Sequence, residues 1–416
     1  MSEEFTKVCM VGLGYIGLPT AAIMASRGLN VVGVDVNKKA IQTINEGRVH
    51  IVEPDLDIVV RSVVTTGNLK ATDKPEPADA FLIAVPTPFK KGNVPDLSYI
   101  EAAAKAIAPS LEKGNLIVLE STSPVGTTEK LSKWLSEHRK DLSFPGEGNN
   151  AADVNIAYCP ERVLPGHVLQ ELVNNDRIVG GLSTTCSKRA AELYKVFVKG
   201  DCLITTARTA ELCKLTENAY RDTNIAFANE MSLVCDELGI NTWDLIELSN
   251  RHPRVDILQP GPGVGGHCIA VDPWFLVDSA PNVTRLIRTS REVNDGKPQY
   301  IINKILESAN KFKNPSIAFL GLAFKANIDD LRESPALSIV ENFAKNEGMD
   351  INVVEPNISD IPLSLSQYRN VKLCDVENAV KRSDIVVGLV DHDEFKSINR
   401  DQFNEKMLID TRGIWR

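Results

Sequence analysis

Lys7-Val-Cys-Met-Val-Gly12-Leu-Gly14-Tyr15-Ile16-Gly17-Leu is the stretch that decides the fold. A short apolar strand runs into three glycines spaced G-x-G-x-x-G, and an amphipathic helix follows as far as Arg27. In that setting the first glycine permits a tight turn and the second lets a pyrophosphate approach the backbone. The third lets the helix pack closely on the strand. Tyr15 and Ile16 lie in the same turn, and the helix N-terminus supplies N–H donors and the positive end of a dipole. A second strand, Asn30 to Asp35, ends on a carboxylate at about the twenty-residue distance expected for a ribose acceptor. Asp35 accepts ribose hydroxyls and repels a 2′-phosphate, so the predicted cofactor is NAD, with Lys38 and Lys39 pulling weakly toward NADP.

The strand–helix alternation continues outward. Phe81 to Val85 and Leu116 to Glu120 are further apolar runs, each ending in a polar or proline-containing loop, and Ala157 to Gly181 completes the series. This predicts an α/β protein whose N-terminal domain, residues 1–205, is a doubly wound Rossmann-type parallel sheet. Thr87 and Thr122 sit in loops expected to face the cofactor. Thr128, near the start of the next helix, suits a phosphate or ribose contact. From about Thr209 to Leu238 the pattern is helical without Gly or Pro, which predicts a central helical/dimerisation domain, 206–312, built on a long helix that bridges domains or forms a subunit interface. A second strand–helix series starts at Pro315, with strands at 316–321, 351–355, 384–390 and 407–410. It predicts a C-terminal Rossmann-like α/β domain over 313–416.

The bulk numbers bound the function. A chain of 416 residues is long enough for two or three domains. A net charge of −9 argues against nucleic-acid and membrane-surface binding, and leaves room for an anionic small molecule met by a few local cations. No apolar run approaches the roughly 18 residues of a membrane span. The polar start carries no signal peptide, so a cytoplasmic protein is expected. The eight cysteines show neither a C-x-x-C pair nor zinc-ligand spacing, and read as reduced thiols with no metal site. Cys9, Cys213 and Cys235 lie in apolar patterns and read as small core hydrophobes.

Cys268 is different. It sits in Gly261-Pro-Gly-Val-Gly265-Gly-His-Cys268-Ile-Ala-Val-Asp272, a stretch too rich in glycine for an ordinary core, with one thiol and one carboxylate beside it. Lys214, Asn218 and Arg221 fall at i, i+4 and i+7 of the predicted long helix and share a face. Pro160-Glu161-Arg162-Val163-Leu-Pro-Gly166 is a charged loop after a strand, and His252-Pro-Arg254 precedes the cysteine loop. Arg162, Arg254, Lys325 and Arg332 are cations among Gly and Pro on an acidic protein, which fits local recognition of phosphate.

Together these stretches resemble the nucleotide-sugar 6-dehydrogenases of the UDP-glucose/GDP-mannose dehydrogenase family, over nearly the whole chain. The carrying motifs are Val11-Gly-Leu-Gly-Tyr-Ile-Gly-Leu-Pro-Thr20, Ala157 to Gly166, Asn250-Arg-His-Pro-Arg-Val255, Gly261 to Phe275, Gly321 to Pro335, and Thr411-Arg-Gly-Ile-Trp-Arg416. Within the family the likeness is to the branch that oxidises UDP-N-acetyl-D-mannosamine, with UDP-glucose and UDP-N-acetylglucosamine as alternatives. The resemblance implies that two NAD molecules take the sugar C6 alcohol to a carboxylate through an enzyme-bound aldehyde. It implies Cys268 as nucleophile, Lys214 as general acid/base or oxyanion stabiliser, Glu161 for the hydrolytic water, and Asn218 and Asp272 as further active-site residues. Arg162, Val163, Arg221, His252, Arg254, Gly265 and Lys325 fall at substrate-binding positions. Arg332 falls near the cofactor diphosphate. Arg412 stands where relatives often carry lysine. A homodimer or larger homo-oligomer is implied, with Arg254 reaching the neighbouring subunit, and a role in surface polysaccharide biosynthesis.

The rivals are a two-electron β-hydroxyacid dehydrogenase, which needs neither thiol nor C-terminal lobe, and a short-chain epimerase, whose Tyr-x-x-x-Lys pair has its match at Tyr300 and Lys304. A non-catalytic NAD sensor is the third.

Overall fold

The computed structural model describes residues 4–146, 152–164, 166–266 and 268–416, so Pro165 and His267 of the quoted motifs lie outside the described residues. The chain forms two compact units divided between Thr216 and Glu217.

The first unit is built on an eight-stranded sheet. Its strands are β1 (Lys7–Val11), β2 (Asn30–Val34), β3 (Leu69–Thr72), β4 (Ala80–Ile83), β7 (Leu116–Leu119), β8 (Asn155–Tyr158), β9 (Arg177–Gly181) and β10 (Cys202–Thr206), while β5 (Phe89–Lys90) and β6 (Val94–Pro95) make a separate small hairpin. The order across the sheet is β10-β9-β8-β7-β4-β1-β2-β3, with the reversal of direction between β1 and β4 that defines a doubly wound sheet. Helices cover both faces, and alternate residues of β1 serve both cores: Val8 and Met10 join one apolar cluster, Cys9 and Val11 the other.

The sheet is not wholly parallel. β8 and β9 pair antiparallel, Ala157 opposite Gly181. The connection between them, loop 159–167 and the two-turn helix Val168–Asn174, therefore stays at the carboxyl end of β8 instead of crossing back. That keeps Glu161, Arg162 and Val163 on the sheet edge from which the glycine turn also emerges.

A 32-residue helix, Ala207–Leu238, leaves the first unit and continues into the second. There it is followed by helices Thr242–Ser249, Asp272–Ser279 and Arg285–Ala309, the last with Pro298 inside it. The second sheet is parallel throughout, in the order β13 (Val371–Leu373), β12 (Asp350–Val354), β11 (Ser316–Leu320), β14 (Ile385–Gly388), β15 (Met407–Asp410). Its two faces are again both buried.

Helices Ala207–Leu238 and Arg285–Ala309 are joined by buried polar groups. Arg291 and Asp222, each 1% exposed, form an ion pair at 2.6 Å. Asn294 donates to Asp222 at 2.7 Å, Asn229 donates to Asn294 at 2.8 Å, and the Gly261 N–H donates to Asn229 at 2.9 Å. A buried charge that loses its partner is costly to hold. Arg291 also pairs with Asp295, so Asp222→Ala takes one of its two partners and is expected to destabilise the protein by about 1–3 kcal/mol, measured as a lowered urea midpoint.

Candidate active site

The glycine turn after β1 is shaped by contact. A Cβ on Gly12, whose φ is +96°, would lie 2.4 Å from the Ala84 carbonyl oxygen, and one on Gly17 would lie 1.9 Å from the Gly12 oxygen. A Cβ on Gly14 would meet nothing within 4 Å. Gly12 and Gly17 thus answer to packing, and Gly14 leaves open the ground over which a pyrophosphate passes. Asp35 accepts the Leu13 N–H at 2.9 Å and the Asn37 N–H at 2.8 Å, so its carboxylate is fixed beside the turn. These residues fit the diphosphate and adenosine ribose of NAD. Thr87 donates its hydroxyl to the Thr122 carbonyl at 2.6 Å, which clamps the loops after β4 and β7 together.

Thr128 is placed otherwise than expected for a ligand contact. It is fully buried, and its N–H and hydroxyl both go to Glu211 of the long helix, at 2.8 and 2.6 Å, while the Gly126 N–H takes the other carboxylate oxygen at 2.6 Å. The N-terminus of helix Thr127–His138 is filled from within the protein. A lone Glu in a helix carries no local signal of that role.

Glu161 is nearly buried and held at both oxygens, by Arg177 at 2.6 Å and by the Arg162 N–H at 2.7 Å. Arg177 also lies over the Tyr194 ring, and the Tyr194 hydroxyl donates to Glu120 at 2.6 Å. Burial pushes Glu120 up to about 7, opposed by the Tyr194 hydrogen bond and reinforced by the charge of Glu161. The loop carrying Arg162 and Val163 is braced by Glu53, which accepts the Gly166 and Val168 N–H groups at 2.9 and 2.8 Å. Arg177, Glu120, Tyr194 and Glu53 were not among the candidates: each lies outside a recognisable motif and gains its role through long-range pairing.

In the second unit, Cys268 is exposed, whereas burial pushes the Cys9 and Cys159 thiols up to about 12 and makes them unfit as nucleophiles. The Cys268 carbonyl accepts the Val271 and Asp272 N–H groups at 3.1 and 2.9 Å, forming the turn that starts helix Asp272–Ser279. Asp272, 2% exposed, takes a short hydrogen bond from the Asn218 side chain. Asn218 and Asp272 are thereby brought together. Arg221, His252 and Arg254 are exposed; Lys214, on the part of the long helix that belongs to the first unit, is nearly buried.

The glycines before Cys268 serve the protein itself. A Cβ on Gly265 would sit 2.4 Å from the Glu333 carbonyl oxygen, and one on Gly266 2.9 Å from the Phe324 ring. One on Gly261 would lie 2.5 Å from the Arg412 guanidinium. Gly265 is thus required by packing against 333–335. The loop lies on a hollow bordered by Phe324, Lys325, Asp391 and Arg412 at the carboxyl ends of β11 and β14, where the second sheet reverses direction. Arg412 is paired with Asp391 at 2.9 Å, and Lys325 is exposed at the rim. Arg332 forks onto Asp330, at 2.8 and 2.6 Å. Among the described residues no helix is long and apolar enough to cross a membrane.

A dinucleotide turn on one α/β unit and a thiol loop beside a second nucleotide-type sheet define an NAD-dependent dehydrogenase. Three family models cover the chain: UDP-glucose/GDP-mannose dehydrogenase family, NAD binding domain over residues 6–198, central domain over 208–296, and UDP binding domain over 318–416. The chain belongs to the UDP-glucose/GDP-mannose dehydrogenase family and is an NAD-dependent nucleotide-sugar dehydrogenase. It is 61% identical, over 99% of its length and 97% of the relative, to an NDP-N-acetyl-D-galactosaminuronic acid dehydrogenase of Ralstonia nicotianae. It is 59% identical, over 96% of its length and 98% of the relative, to a UDP-N-acetyl-D-mannosamine dehydrogenase of Campylobacter jejuni. A solved UDP-D-ManNAc dehydrogenase from Pyrococcus horikoshii superposes with a TM-score of 0.88 at 39% identity, covering 99% of this chain and 96% of that one.

Two outcomes are expected. Gly14→Ala should leave the melting temperature unchanged yet weaken NADH binding at least tenfold in a fluorescence titration, whereas Gly12→Ala should lose stability as well. A carboxyl whose folded pKa lies above its unfolded value loses stability as pH rises through that window, here from about 4.3 to about 7. Glu120→Gln escapes the loss, so its melting temperature relative to the parent should rise between pH 5 and pH 7.5.

Proposed function

We propose that this enzyme oxidises the C6 alcohol of UDP-N-acetyl-D-mannosamine to the carboxylate, releasing two NADH per sugar. The observation that carries the reading is the exposed Cys268 in its glycine loop, heading the helix whose buried Asp272 is bound by Asn218. When bound at the Gly12–Gly17 turn, NAD supplies a hydride acceptor for each oxidation. The residues do the rest.

The first oxidation removes a proton from the C6 hydroxyl and a hydride from its carbon, and Lys214 is assigned to the proton. The resulting aldehyde has no second hydride to give until a nucleophile adds. Attack by the Cys268 thiolate forms a C–S bond and a thiohemiacetal, whose alkoxide an ammonium such as Lys214 stabilises. Loss of the second hydride leaves a thioester. Water, deprotonated by a carboxylate, cleaves the C–S bond, releasing the acid and regenerating the thiol. Glu161, paired with Arg177 at 2.6 Å, is assigned to that water, with Asp272 as the second carboxylate. Lys325 and Arg412, at the hollow of the second sheet, are assigned to the nucleotide, and Arg162, Val163, Arg221, His252 and Arg254 to the rest of the substrate. The close likeness to the Ralstonia relative favours one second reading, a sugar of galacto configuration with the same chemistry.

The domain limits 1–205, 206–312 and 313–416, a cytoplasmic location and a role in polysaccharide biosynthesis belong to the same proposal. So does a homodimer: Tyr220, Phe227, Val234 and Leu238 are exposed at spacings of seven, seven and four on the long helix, an apolar stripe fit to pair with its copy.

The deciding measurement is NADH yield per nucleotide sugar across UDP-N-acetylmannosamine, UDP-N-acetylgalactosamine, UDP-glucose and UDP-N-acetylglucosamine. A ratio of two with the manno sugar supports the reading, and a ratio of one removes the double oxidation. Cys268→Ala should yield at most one NADH and no uronate; normal uronate formation by it would exclude the thiol. Lys214→Ala should lose kcat by 10²-fold or more, a typical acid–base contribution, with NADH affinity unchanged.

A further inference from the structure

The turn after β11 repeats the arrangement of the dinucleotide turn, with one addition. Gly321, at φ +99°, follows the strand, and Glu355 at the end of β12 accepts the Leu322 and Ala323 N–H groups at 2.7 and 3.0 Å. Asp35 and Leu13 do the same in the first unit. At Glu355, however, the oxygen that takes both amides also meets His392, which is fully buried, with its Nε2 at 3.1 Å, while the other oxygen accepts the Asn357 N–H at 3.2 Å. The Nδ1 atom of His392 accepts the Asn327 N–H at 2.9 Å, which places the ring proton on Nε2, facing Glu355. Burial pushes Glu355 up, but the hydrogen bonds from His392 and the two backbone amides outweigh it, so its pKa falls below the usual range and it stays an anion.

The chain between those two anchors carries Lys325. Its far end is tied a second time: the Asn327 amide donates to Asp393 at 2.8 Å and its carbonyl accepts the Asp393 N–H at 3.1 Å. Leu389, Val390 and Asp391 follow β14 and form the opposite wall of the hollow, where Asp391 holds Arg412; His392 and Asp393 come directly after them. Asn327 has φ +61°, a left-handed conformation that costs a non-glycine residue about 1 kcal/mol or more. The contacts to both walls offset that cost.

We propose that Asn327, His392 and Glu355 are positioning residues for the nucleotide, a latch that fixes the Lys325 segment against the Asp391–Arg412 wall so that the two cations are preorganised for the diphosphate of the substrate. The proposal rests on the reading that this hollow takes the nucleotide. Preorganisation acts on affinity, since an untethered lysine must lose its freedom when the ligand binds. It leaves the chemistry at C6 unaltered.

Asn327→Gly separates this role from a merely structural one. Glycine accepts φ +61° without strain and keeps the N–H that bonds His392, so the fold is retained while both side-chain bonds to Asp393 are lost. UDP alone is the probe, titrated calorimetrically into the full-length protein, with KM for the nucleotide sugar, KM for NAD, kcat and melting temperature measured in parallel. The expected result is a fall of roughly five- to tenfold in UDP affinity, matched in the KM for the sugar nucleotide, with kcat, NAD and melting temperature unchanged. His392→Gln, which keeps an acceptor for the Asn327 N–H, should fall between parent and Asn327→Gly. Parent-level UDP affinity in Asn327→Gly overturns the latch, as does an equal loss for UDP and NAD. If the unaltered protein does not bind UDP, the nucleotide reading of the hollow falls and the latch falls with it.

Discussion

Main-chain N–H groups at a sharp strand-to-loop turn need acceptors, and in both α/β units a carboxylate at the end of the neighbouring strand supplies them. Asp35 takes the Leu13 N–H, and Glu355 takes those of Leu322 and Ala323. An N–H left unpaired there costs about 1–3 kcal/mol, so the acid at the second strand end is a structural necessity before it is a binding residue. In each acid the second oxygen accepts a main-chain N–H two residues on, Asn37 at Asp35 and Asn357 at Glu355. What differs is the oxygen that serves the turn: at Glu355 it is also met by the buried His392 imidazole. One backbone solution thereby yields a cofactor site in one unit and a locked turn in the other.

The same economy governs the charges. Buried ion pairs contribute little net stability, but losing one partner is expensive. Such pairs therefore serve best where a carboxylate must keep one orientation. Arg177 does this for one oxygen of Glu161, and the Arg162 N–H holds the other. Glu120, a short way along the network through Tyr194, has no cation of its own and is pushed up to about 7. Burial raises Glu120, and the Arg177 charge only partly opposes it.

Much of this was legible in the residues. Strands β1, β2, β4 and β7 and the long helix lie within a few residues of where apolar runs and glycines placed them, because local period and turn chemistry alone specify them. Strands β3, β10 and β13 went unread, since Leu69–Thr72, Cys202–Thr206 and Val371–Leu373 are short and carry few apolar residues, or stand at or near a sheet edge. The antiparallel turn of β8 onto β9 has no sequence mark at all. In the sites, Gly12, Gly14, Asp35 and Cys268 announce themselves by motif. Glu211, Arg177 and His392 do not, because each is a common residue whose partner lies 16 to 83 positions away. The Gly321–Glu355 pair was readable as an echo of Gly12–Asp35, a glycine after one strand and an acid closing the next, although no full fingerprint surrounds it.

The glycine loop before Cys268 shows why a motif can be right about place and incomplete about cause. Gly261, Gly265 and Gly266 are small because Arg412, the Glu333 carbonyl and the Phe324 ring occupy the space their side chains would fill. That contact presses the loop onto the wall of the hollow and leaves Cys268 at its exposed end, immediately before the turn into helix Asp272–Ser279. The packing that demands glycine therefore holds Gly261, Gly265 and Gly266 against Arg412, the Glu333 carbonyl and Phe324, a short way before Cys268. A chain with larger residues at these positions would have to lift the loop off Arg412, Glu333 and Phe324.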